Sequence, residues 1–190
     1  VPWSSFAQRP HKFVTWFHAS TGGEVLWVDP YPTRLPSLSD FRRLGANADL
    51  ENESNPSWLS VIRPSVLPIE PLPGSGMANA MMWRSLLRMV DVFARPQNCL
   101  VVVGKPSVLA LTVLKRLKGC RSVYDAMDDF PAFYTGLSRW SMRWLEDQLV
   151  RSVDAVLVSS TAIQRRWSHV GAGVQLVHNG LDAEVMPEFV

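Results

Sequence analysis

The chain has 190 residues, 47% hydrophobic and 19% charged, with 8 Trp, 8 Phe and 14 Pro. That supply of apolar residues and a net charge of only +2 exclude an intrinsically disordered chain and suffice for a buried core. A pI near 8.7 permits contact with anionic lipid or phosphorylated ligands and offers no argument for nucleic acid as a partner.

In chain order, "RPHKFVTWFHAS" (9–20) reads as a helix and "EVLWVDP" (24–30) as a strand. Residues 31–57, rich in Pro, Asn, Ser and charge, read as a long loop. "WLSVIRP" and "VLPIEPLP" read as short strands whose prolines confine them to edges or bends. "NAMMWRSLLRMVDVFARP" (79–96) is a helical pattern, with Met82, Leu86, Met89, Val90 and Phe93 on one face.

The rear is more regular. "CLVVVG" (99–104) is a continuous apolar run ending in Gly, as expected of a strand covered on both faces. "PSVLALTVLKRLKG" (106–119) follows as a helix, with Pro106 near its start, basic residues in its last turn and Gly119 as its stop. "RSVYDA" (121–126) is a strand, 137–152 a helix carrying Trp140, Trp144, Leu145 and Leu149, and "DAVLVSS" (154–160) a third buried strand. Its serines and Thr161 can cap the helix that follows. "VQLVH" (174–178) is a fourth strand, stopped by Asn179–Gly180. Strands alternating with helices imply right-handed βαβ units. The expected fold is therefore α/β, a Rossmann-like doubly wound parallel sheet with helices on both faces. Nothing repeats and no composition break appears, so residues 1–190 read as one domain. The chain opens on Val and not Met, which is consistent with a further strand ahead of it.

Cys99 and Cys120 show no CxxC spacing and sit near apolar strands, which favours reduced, buried thiols in a cytosolic protein over a disulfide. His11 and His18 are seven apart on one helix, not at the i, i+4 spacing of a zinc pair, so no metal site is expected. GxGxxG, GxxxxGK[ST] and GxSxG are all missing from the sequence, which leaves dinucleotide, P-loop and serine-hydrolase sites unsupported.

In a doubly wound sheet, ligands sit outside the carboxyl ends of the strands. The residues just past each strand are therefore the informative ones: Asp29 and Tyr31, Gly104 and Lys105, the acidic group Asp125, Asp128 and Asp129, Ser159 and Ser160, and His178, Asn179 and Gly180. One of the aspartates can serve as a helix cap. Three exceed what a cap needs, and a carboxylate among like charges can take a proton from a hydroxyl. The 79–96 helix reads either as an ordinary amphipathic helix or as a surface placing Trp83, Leu87 and its arginines on an anionic membrane.

Taken in order, "VYDAMDDF", "LEDQLVRSVDAVLVSS" and "VQLVHNGLD" resemble the N-terminal half of GT-B glycosyltransferases of the family 4 kind. "PWSSFAQRPHKF" looks like the "W…QRP.H" signature of bacterial members that build surface polysaccharides. The resemblance implies one half of a GT-B fold, which binds the acceptor while a second, C-terminal domain binds the nucleotide sugar. Residues 179–190 would begin the crossover to that domain. It implies that Asp128 is the general base in an inverting enzyme or a structural or acceptor-binding residue in a retaining one, and that Asp125 and Asp129 are acceptor-binding. It further implies that Arg9 and His11 face acceptor or donor phosphates and that His178, Asn179 and Gly180 lie at the crossover. The implied partners are a nucleotide sugar, a glycan or lipid-linked acceptor and the inner membrane face, reached in part through residues 79–95. No cofactor beyond the donor substrate is expected, and the place is cytoplasmic and peripheral. Two other readings compete: a non-catalytic Rossmann-like binding or scaffold module, and another cleft enzyme such as an epimerase, which the missing glycine fingerprint disfavours.

Overall fold

The structure is a computed structural model and describes residues 2–5, 7–31, 55–66, 75–94, 98–171 and 173–180. Most of the expected loop at 31–57, nearly all of "VLPIEPLP" and the end of the expected crossover lie outside the described residues.

The elements run α1 (Arg9–Thr21), β1 (Val25–Val28), β2 (Leu59–Ile62), α2 (Ser75–Asn79), α3 (Arg84–Phe93), β3 (Leu100–Val103), α4 (Val108–Arg116), β4 (Arg121–Ala126), a 3-10 turn (Phe130–Phe133), α5 (Gly136–Val150), β5 (Ala155–Val158), α6 (Thr161–Trp167) and β6 (Gly173–Leu176). β1 pairs with β2, and β3-β4-β5-β6 form a four-stranded sheet in sequence order. Every pairing is parallel. With helices packed on these sheets, the expected Rossmann-like α/β class is the class observed.

The termini of the elements follow local chemistry. α1 ends at Gly22, whose φ of 67° places it in the left-handed region, where a residue without Cβ meets no steric cost. Ser107 and Ser160 cap α4 and α6, each accepting a backbone N–H three residues on, from Ala110 and Ile163.

Two apolar clusters make the core. Val103, Tyr124, Ala126, Val156 and Val158 of the larger sheet meet Leu111 and Leu114 of α4, Leu145, Leu149 and Val150 of α5, and Ile163 and Trp167 of α6. Ile62 meets Trp83, Leu86, Leu87 and Val90 around α3, with Leu109 of α4. α4 thus contributes to both clusters and ties the two sheets together. Each buried leucine adds about 1.5–3 kcal/mol relative to exposure.

Three expectations need correction. The pattern over 79–96 does not form one helix: α2 ends at Asn79, a turn intervenes, and α3 starts at Arg84. Leu100 and Val102 of β3 are exposed while Val103 is buried, and this alternation shows that one face of β3 is open among the described residues rather than both being covered. The third concerns the cysteines, which are not free thiols: Cys99 and Cys120 form a disulfide with Cα atoms 5.4 Å apart. Each residue immediately precedes a strand. Leu100 lies opposite Arg121 in the parallel ladder, so the cysteines occupy one rung of adjacent strands, within bridging distance.

Candidate functional site

The strands of the four-stranded sheet run parallel, so the carboxyl ends of β3 to β6 form one rim, and Arg9 at the start of α1 reaches it. β4 alternates its side chains between faces. Tyr124 points to α5, where its hydroxyl donates to Glu146 Oε1 at 3.0 Å. Asp125 therefore points to the opposite face and meets Arg9, at the first turn of α1. Arg9 Nε donates to Asp125 Oδ2 at 3.1 Å, and Nη2 lies 2.7 Å from Oδ1 as a charge contact. The same guanidinium donates through Nη1 to the Val177 carbonyl and, at 3.2 Å, to Asn179 Oδ1. One side chain thereby joins α1, the end of β4 and the segment after β6. Burial pushes the Asp125 carboxyl up from its ordinary range, and the Arg9 charge opposes that rise.

The acidic residues just beyond Asp125 separate in role. Asp128 is exposed and makes no side-chain hydrogen bond or ion pair among the described residues. Asp129 precedes the 3-10 turn without capping it by its side chain. It pairs instead with Arg166 of α6 at 2.6 Å. Arg166 also contacts Glu146 at 2.5 Å, so Asp129 is the outer member of a chain running inward through Arg166 and Glu146 to Tyr124. Glu146 is fully buried. Burial raises its pKa, with Arg166 as the main opposing influence. Burial, and then the neighbouring Glu146 charge, push the Tyr124 hydroxyl well above its usual value. Sequence reasoning missed this network. Its signal was a glutamate inside the apolar stripe Met142, Leu145, Leu149, where an unpaired charge is costly.

Other candidates fall into structural positions. Ser160 caps α6, and Ser159 Oγ donates to the Met127 carbonyl at 2.6 Å, fastening the β4–β5 rim. Lys105 Nζ lies 3.5 Å from the Tyr31 carbonyl, bridging the ends of β3 and β1. His178 and Gly180 are exposed beside Asn179. His11 is buried between Trp3 and Trp27, with ring centroids 5.0 and 5.1 Å away. Its Nδ1 accepts from the Gln8 N–H at 3.1 Å, so the proton sits on Nε2, facing the Pro2 carbonyl. His18 stacks on Trp58. Both histidines serve an aromatic cluster whose polar centre is Asp29. Asp29 Oδ1 accepts from the Trp3 N–H and the Trp27 indole, each at 2.8 Å. This cluster was legible only as Asp29 at a strand end.

The surface expected to meet a membrane through Trp83 and Leu87 is not there. Both side chains are buried in the core around α3, since they lie on the face turned toward β2 and α4. No helix among the described residues is long and apolar enough to cross a membrane.

The rim carries the largely buried Arg9–Asp125 ion pair and, three residues further along the chain, the exposed carboxylate of Asp128. Neither a protein-family model nor a curated protein matches this sequence.

Proposed function

We propose that the chain is the acceptor-binding half of a GT-B glycosyltransferase that moves a sugar from a nucleotide sugar to a lipid-linked or polysaccharide acceptor. The observation that carries this reading is the Arg9 guanidinium. It brings together segments 116 and 170 residues apart in sequence, and these are the "QRP.H", "VYDAMDD" and "VHNG" stretches on which the resemblance rests.

In this reading Asp125 is a positioning residue. It holds Arg9 and, through it, the segment that leads toward the donor domain. Asp128, one step further along the rim and unpaired among the described residues, is the general base. As the acceptor oxygen bonds to the anomeric carbon, Asp128 takes the hydroxyl proton, and the bond to the nucleoside diphosphate breaks with its electrons leaving on phosphate. Asn179, His178 and Gly180 belong to the crossover, and a C-terminal domain supplies the donor site. In this reading the enzyme works at the cytoplasmic membrane face.

The full-length protein incubated with a panel of labelled nucleotide sugars and a lipid extract of its source should yield labelled lipid or glycan. Absence of transfer and of donor hydrolysis across the panel would shift the reading to a binding module.

A further inference from the structure

α5 is apolar on two sides. Met142, Leu145 and Leu149 pack into the core. On the opposite side Leu137, Trp140 and Trp144 recur at i, i+3 and i+7 and are 73%, 62% and 52% exposed, with Phe133 of the preceding turn 69% exposed. A rimmed aromatic patch on a surface marks an interaction site.

The charges on this face choose among occupants. Arg139 and Arg143 are exposed, and their side chains have no ion pair or hydrogen bond among the described residues. Asp147, the one carboxylate on the outer side of α5, is neutralised by Arg151 at 2.9 Å. The patch is therefore tryptophan, leucine and phenylalanine edged by uncompensated guanidinium groups. A two-fold dimer would set this basic patch against itself, which like charges oppose. An anionic bilayer complements it: indoles favour the headgroup level and arginines favour lipid phosphates.

We propose that the outer face of α5, with Phe133 ahead of it, is a membrane-docking surface. Its apolar side chains enter the headgroup boundary of an anionic bilayer, and Arg139 and Arg143 contact lipid phosphates. The inference stands on exposure and charge alone and does not depend on the transfer reaction. It also moves the membrane contact away from residues 79–95.

The test is co-sedimentation of the full-length protein with vesicles of phosphatidylcholine alone or mixed with phosphatidylglycerol. The wild type should bind the mixed vesicles and release from them at high salt. Trp140→Ser/Trp144→Ser should weaken binding by about tenfold or more, from the apolar area the indoles remove from water. Arg139→Gln/Arg143→Gln should weaken it about fivefold per guanidinium and abolish the preference for the anionic lipid. All four positions are exposed, so both variants should melt with the wild type. Wild-type protein that binds neither vesicle, or a tryptophan variant that binds as well as the wild type, overturns the proposal. So does a wild-type dimer that the tryptophan variant turns into a monomer, which would assign the face to self-association.

Discussion

Replacing Arg9 by Gln removes the cation that opposes the burial of Asp125. Asp125 is 6% exposed, and its ion contact with Arg9 is 2.7 Å long. Two charges about 3 Å apart at an effective dielectric near 20 attract by roughly 5 kcal/mol before desolvation is counted. Breaking a largely buried pair costs about 3 kcal/mol net. For a chain of this size that lowers Tm by about 6–12 °C. The loss should depend on pH. Burial already raises the folded pKa of Asp125, and Arg9 is what limits the rise. Without Arg9 the carboxyl titrates higher still. A folded pKa above the unfolded one gives stability that is present at low pH and lost as pH rises through the folded value. Arg9→Gln should therefore lie nearer the wild type at about pH 5 than at about pH 8. Arg9→Gln/Asp125→Asn should regain much of the loss at the higher pH. Urea denaturation of the wild type, Arg9→Gln, Asp125→Asn and the double variant at both values reads this directly. An equal loss at both pH values, or single effects that simply add in the double variant, would refute the reasoning.

Thiol titration of the unfolded, unreduced protein should find no free cysteine, and Cys99→Ser/Cys120→Ser should lose about 3 kcal/mol, as expected for the closed loop of 21 residues. Trp83→Ala, at a buried position in the core around α3, should cost about 3–5 kcal/mol in denaturant titration. Trp140→Ala, on the surface, should stay within about 0.5 kcal/mol of the wild type. Ser160→Ala removes the α6 cap and should cost about 1 kcal/mol. It should leave sugar transfer unchanged, because the hydroxyl is turned to the Ile163 N–H.

The parallel sheet was legible where strands are short apolar runs bounded by polar residues. "RSVYDA" matches β4 to the residue, and α1 and α5 fall within two residues of their expected bounds. The 79–96 pattern misled because helical periodicity survives across a turn, so Met81 and Met82 kept the phase while the backbone broke at Asn79. The disulfide was hidden by treating the cysteines one at a time. Placing both directly ahead of neighbouring parallel strands fixes their register and brings them together. At the rim, Asp125, Arg9 and Asn179 were each legible as residues past a strand or ahead of a helix. Their union at one guanidinium was not, since it depends on how α1 sits over the ends of β4 and β6. Glu146 carried a signal as a glutamate within the apolar stripe of α5, but its partner Arg166 did not, since nothing in the local sequence of Arg166 separates a paired charge from a solvated one.

The central claim is that the free carboxylate on the rim performs base catalysis on an acceptor hydroxyl. The most direct measurement is kcat for sugar transfer by the full-length protein and by Asp128→Asn, with Tm and donor binding measured alongside. For Asp128→Asn, kcat should fall about 100-fold or more, with Tm and donor affinity unchanged. Transfer by Asp128→Asn at the wild-type rate would contradict it and leave Asp128 a surface residue beside the Arg9–Asp125 pair.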